Sequence, residues 1–150
     1  MHNNREQIVL AVELKILDTY LKLEQLRFNF IYEITIDEAI HINETEIPSL
    51  LLQPLLENAI IHGIGDLKDK GHLVLSFTRR QKDMIVRIAD NGAGFKDNPN
   101  NTGYGLKLTR ERIELLNKIL SGRQIVLDID TEGTTLTTVN LIFYTWFDEN

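Results

Sequence analysis

Three short stretches hold the residues able to do chemistry. The first is IPSLLLQPLLENAIIHG, from Ile47 to Gly63, where Glu57, Asn58 and His62 put an acid, an amide and an imidazole close together. The second is DNGAGF, from Asp90 to Phe95. An aspartate closing an apolar strand, with glycines after it, sets an acceptor at the floor of a cleft that a flat ligand can approach. Such a carboxylate can accept the amino group of a purine. The third is Gly103-Tyr104-Gly105-Leu106, which opens a helical pattern. Free N–H groups and the dipole at a helix start attract phosphate. Taken singly, an Asp-Asn-Gly turn or an amphipathic helix is ordinary. In this order the three describe a nucleotide pocket.

The elements that must position these residues follow from hydrophobic period and turn chemistry. The first stretch predicts a helix over Ile47–Gly63, with Pro48 in its first turn and Gly63 just past its end. At about 100° per residue, Leu52, Leu55, Leu56, Ala59 and Ile60 fall on one face, and Glu57, Asn58 and His62 on the other, with Ile61 between Glu57 and Asn58. Upstream, Glu6 to Arg27 reads as a second helix with a wide apolar face, and Phe28 to Ile36 alternates as a strand. Downstream, His72–Arg80 and Met84–Asp90 form an antiparallel hairpin. Asn91–Gly105 is too rich in glycine and asparagine for regular structure. Leu106–Ile119 is helical again, and Gln124–Asp130 and Thr134–Phe143 are two strands about Thr131-Glu132-Gly133. This order predicts an α+β fold, a two-layer α/β sandwich with a mixed, mostly antiparallel sheet and helices on one face.

Composition narrows the function. The net charge of -6, from 22 acids and 16 bases, argues against a nucleic-acid partner, which must be met with positive charge. With no cysteine, disulfides and thiolate metal sites are excluded. No run is long and apolar enough for a membrane-spanning helix, so no direct membrane contact is expected of this chain. The helical pattern already running at Glu6 suggests a piece of a longer protein.

The residues resemble a known family. LLLQPLLENAIIHG resembles the N box, DNGAGF the first glycine box and GYGL with TRERIELL the second glycine box of the ATP-binding domain shared by sensor histidine kinases, gyrase, Hsp90 and MutL (the GHKL, or Bergerat, fold). Within that group the chain is most similar to the LytS-like bacterial kinases, over about Glu13 to Leu141. The resemblance implies ATP and Mg²⁺ as cofactors. It implies Asn58 as the Mg²⁺ ligand, with Glu57 beside it polarising the attacking group. Asp90 would read the adenine amino group, and Thr134 would stand behind the adenine. His62, Gly92, Gly94, Gly103, Tyr104, Gly105 and Leu106 would line the nucleotide, with Phe95–Thr102 as a lid.

It further implies a division into residues 1–27, a helix leading from a phosphoacceptor region, and residues 28–150, the ATP-binding domain. The partners it implies are that upstream helical region, a second protomer in the full-length protein and, indirectly, a response regulator. The expected setting is the cytoplasmic side of an inner-membrane sensor kinase. The acceptor histidine motif of such kinases has no match here, so this chain alone is not expected to phosphorylate itself. Two departures stand out: Ile61 replaces a lysine that commonly reaches the phosphates, and Leu108 replaces an asparagine. They motivate one alternative, a degenerate nucleotide-sensing module. A second is an ATPase clamp of the MutL or Hsp90 kind.

Overall fold

The structure, a computed structural model, describes residues 7–92, 103–130 and 136–148, with backbone alone at 103–105. Its elements run β1 (Gln7–Val9), α1 (Leu10–Phe28), β2 (Ile31–Ile36), β3 (Glu46–Pro48), α2 (Gln53–Asn58), a π-helical turn (Ala59–Ile64), a short 3-10 turn (Lys68–Lys70), β4 (His72–Arg80), β5 (Asp83–Asp90), α3 (Gly103–Ile119), β6 (Gln124–Asp130) and β7 (Thr137–Tyr144).

The sheet has the order β2-β4-β5-β7-β6, with β2 parallel to β4 and every other pairing antiparallel. The mixed, mostly antiparallel sandwich with helices on one side is therefore as expected. One face of the sheet supplies the core. Leu73, Leu75 and Phe77 of β4, Met84, Val86 and Ile88 of β5, and Val139, Leu141 and Phe143 of β7 are buried, every second residue along each strand. Against them pack Leu10, Leu14, Leu17 and Leu21 of α1, the leucines of α2, and Leu106, Ile113 and Leu116 of α3. So α1 is part of this core and ends at Asn29, whose φ of 55° suits a helix stop.

Several expected boundaries move. The predicted 47–63 helix is in fact a strand followed by a shorter helix. Ile47 and Pro48 pair with Ile8 and Gln7, and helix begins at Gln53, with Pro54 rather than Pro48 in the first turn. Gly63 lies inside the π turn, not past a helix end. Residues 7–9 form β1, so α1 starts at Leu10 rather than Glu6. The strand expected from Phe28 begins at Ile31, because α1 runs to Phe28. Gly103 and Gly105, expected in the irregular stretch, already belong to α3. The last strand is described from Thr137. Residues 131–135, which include Thr134, and residues 93–102, which include Gly94, lie outside the described residues.

Candidate functional site

Asp90 ends β5 at an inward position of its alternation, following Met84, Val86 and Ile88, so its carboxyl faces the helical layer and is buried. Its cross-strand neighbours are Leu73 on β4 and Thr137 on β7, which share its face of the sheet. Gly92 folds back, and its N–H donates to Asp90 Oδ1 at 2.8 Å. Burial pushes the carboxyl up to about 6, with the Gly92 N–H pulling the other way.

The π turn completes this floor. A methyl group at Gly63 would come within 2.9 Å of Asp90 Oδ1, and a Cβ at Gly92 would overlap the Gly63 backbone. Two glycines thus let the π turn and the end of β5 meet backbone to backbone over a carboxylate. Asn91 locks the arrangement: its Oδ1 accepts the His72 N–H at 2.8 Å and its Nδ2 donates to the Lys70 carbonyl at 2.9 Å. Sequence reasoning missed Gly63 as a contact of Asp90, Asn91 as a clamp and Thr137 as the residue opposite the aspartate. The first was hidden by the π turn, which has no local signature, and the other two depend on strand register.

The helix before the floor carries the other candidates. Glu57 and His62 are exposed, and Asn58 is half-buried. Ile61 is 42% exposed, on the polar stripe as expected and not in the core. Burial first, then the hydrogen bond to Glu24, and to a lesser degree the charges of Glu24 and Glu57, push the Tyr20 phenol above its ordinary value. Glu57 therefore sits within electrostatic reach of α1. A buried residue of α1 steadies the entry to α2. Burial raises the pKa of Glu13, and this is opposed by the N–H of Leu50, which the Glu13 carboxyl accepts, and by the charge of Arg112. Leu50 has a φ of 60°, a strained value for leucine that costs of order 1 kcal/mol or more and is held by this contact. Glu13 is thus a buried polar tie between α1, the turn before α2 and α3.

The structure brings the boxes together in pairs. The π turn packs on β4 and β5, and α2 packs along α3, the helix that opens with Gly103-Tyr104-Gly105. Leu106 is buried in the core, so it supports the helix start from beneath. Of the bases near the second glycine box, Lys107 and Arg110 are exposed, whereas Arg112 is within electrostatic reach of Glu13.

No family model matches the chain. Part of it is 31% identical to the sensor histidine kinase BtsS of Escherichia coli K12, over 108 residues that are 72% of this chain and 19% of BtsS. It is also 31% identical to the sensor protein LytS of Bacillus subtilis 168, over 135 residues, 83% of this chain and 22% of LytS. The chain is a relative of the LytS-like sensor histidine kinases. It spans about a fifth of the length of these two relatives. Solved structures agree on the fold. The Acinetobacter baumannii histidine kinase AdeS superposes with a TM-score of 0.69 over 97% of this chain and 69% of that one, at 15% identity. The catalytic domain of histidine kinase ThkA superposes with a TM-score of 0.63 over 93% of this chain and 94% of that one, at 14% identity. The fold of this LytS-like chain is thus that of a histidine kinase catalytic domain.

Among the described residues, no three His, Asp or Glu side chains gather as a metal cluster. A Mg²⁺ ion is compatible with the half-buried Asn58 amide oxygen as a single protein ligand, provided that phosphate oxygens and water complete the shell.

Proposed function

We propose that this chain is the ATP-binding catalytic domain of a two-component sensor histidine kinase, and that it directs the γ-phosphoryl group of ATP to a histidine outside these 150 residues. The observation that carries the proposal is the buried Asp90 carboxyl under the Gly63–Gly92 contact. A carboxylate held there accepts a purine amino group, and the glycines leave a flat wall for the ring. Asn58, near the rim, offers an amide oxygen to a phosphate-bound cation, and Glu57 adds a carboxylate beside it. Mg²⁺ would supply charge neutralisation on the phosphates. The start of α3 would offer backbone N–H groups to the same anion. The residues position and polarise; no side chain of the pocket is asked to form a covalent bond. In this reading the upstream helical region supplies the acceptor, the whole kinase is a homodimer at the inner membrane, and a response regulator receives the phosphoryl group.

Asp90→Asn tests the pocket. An amide facing the purine amino group mismatches donor to donor at a buried site, which costs about 1–3 kcal/mol, or roughly five- to 150-fold in affinity. Calorimetry on the folded variant should show ATP binding lost by that factor; wild-type affinity would remove the basis for the pocket.

A second reading, nucleotide sensing without transfer, is favoured by Ile61 and Leu108. Both are exposed rather than core residues, at 42% and 45%, so their apolar character is not explained by packing among the described residues. Radiolabel transfer from ATP to a supplied acceptor domain separates the two readings. No transfer despite tight ATP binding selects the second.

A further inference from the structure

Helix α1 has two apolar faces. Leu10, Leu14, Leu17 and Leu21 are in the core. On the opposite side, Val12, Ile16, Leu23 and Leu26 are 47%, 41%, 59% and 82% exposed, with the exposed Thr19 between them. These five recur at intervals of four, three, four and three residues. That is the spacing of a coiled-coil seam, straight along one side of the helix for roughly 21 Å. The stripe is narrower than the apolar face that a helix lays on a membrane or into a broad groove. The spacing thus selects another α-helix.

The flanks say which kind. At the positions bordering the seam stand Lys15 and Lys22 on one side and, on the other, the buried Glu13 followed by Tyr20 and Arg27. Lys22 is bridged to Asp18 at 3.1 Å and Arg27 to Glu24 at 3.1 Å, both within α1, so their orientations are set while their charges stay at the border. A second copy is a poor occupant. Pairing in parallel would set Lys22 against the other copy's Arg27, and antiparallel pairing would set lysine against lysine. Basic flanks around an apolar seam are complementary to acidic flanks around another.

We propose that the outer face of α1 is a docking seam for a single amphipathic α-helix that carries apolar residues in four–three spacing and acidic residues on both borders. The partner is bound side by side, its carboxylates meeting Lys15, Lys22 and Arg27. The seam lies on the face of α1 opposite the core, and its Tyr20 border is within electrostatic reach of Glu57.

The test uses the 150-residue chain and two labelled peptides of three heptads. Both have leucine on the seam; one has glutamate at every bordering position and the other lysine. Fluorescence anisotropy should show the glutamate peptide binding and the lysine peptide at least about ten-fold weaker. Ile16→Glu with Leu23→Glu should abolish the binding. Leu26→Glu, at the most exposed position, should weaken it with the thermal melt unchanged. Lys15→Glu with Lys22→Glu should reverse the peptide preference. Equal binding of both peptides, or binding that survives the seam variants, overturns the proposal. So does a dimer of the chain alone in sedimentation that Leu23→Glu dissolves, or adsorption to phosphatidylserine vesicles in place of peptide binding.

Discussion

The floor of the pocket and its rim are built on opposite principles. At the floor, Asp90 is buried, accepts the Gly92 N–H and is closed in by Gly63, while Asn91 ties the turn to β4. At the rim, Glu57, Ile61 and His62 are exposed, and Asn58 is half-buried. A rigid floor discriminates by fit, whereas an open rim takes its final geometry from what binds. Under the proposed function, this difference would leave shape recognition of a base to one end and adjustable charge handling to the other.

Three measurements sharpen or break this contrast. The largest effect is expected at the rim. Asn58→Ala should weaken Mg²⁺·ATP on the order of a hundred-fold while leaving adenosine unchanged, because in the proposed function the lost oxygen serves only the phosphate end. Equal losses for both ligands in calorimetry would mean that floor and rim are one unit.

The floor should respond to pH, with opposite signs for stability and for binding. Asp90 keeps its proton up to about pH 6, above the ordinary aspartate value of 3.8. Between those values the folded chain holds a proton that the unfolded chain has released. This group therefore favours folding most in acid, and that contribution declines as pH rises through about 6. A purine amino group prefers the ionised form, so adenosine affinity should instead fall on acidification, to about ten-fold weaker at pH 5 than at pH 7.5. Adenosine has no phosphate that titrates in this window. A flat affinity in an NMR titration would detach Asp90 from the base.

The smallest effect is a gain. Ile61→Lys places a charge on the exposed stripe, and its stem can follow the surface that the isoleucine now covers. ATP should bind about 1 kcal/mol tighter, or roughly five-fold, the gain shrinking with salt and absent for adenosine. Unchanged ATP affinity would mean that another base, such as the exposed Lys107 or Arg110, already serves the phosphates.

Legibility in the sequence followed how local each signal is. Strands β4 to β6 were readable nearly to the residue, since alternation and short turns lie within each hairpin. The start of the central helix was not. Pro48 and Pro54 are both suitable first-turn prolines, and what excludes Pro48 is its pairing with Gln7, some forty residues away. For the same reason β1 was absorbed into the helix that follows it. The two faces of α1 were read as one wide stripe, because periodicity reports apolar positions but not which of them meet the core. The aspartate and the glycine boxes were plain by residue type. The contact between Gly63 and Gly92 was not, because it depends on a helical turn of unusual width.

That turn also fixes what this segment can tolerate. A π turn holds one more residue than an α turn for the same closure of the backbone. The number of residues between Asn58 and Ile64 is thereby matched to the gap between the rim and the end of β5. Exchanging one side chain for another leaves that count alone, as at the exposed Ile61. Losing a single residue would tighten the coil to an ordinary helix and rotate Gly63 off the aspartate, even with every remaining side chain kept. Across variants of this chain, the exposed positions of the segment, Ile61 and His62, should drift in composition far more readily than the segment changes in length.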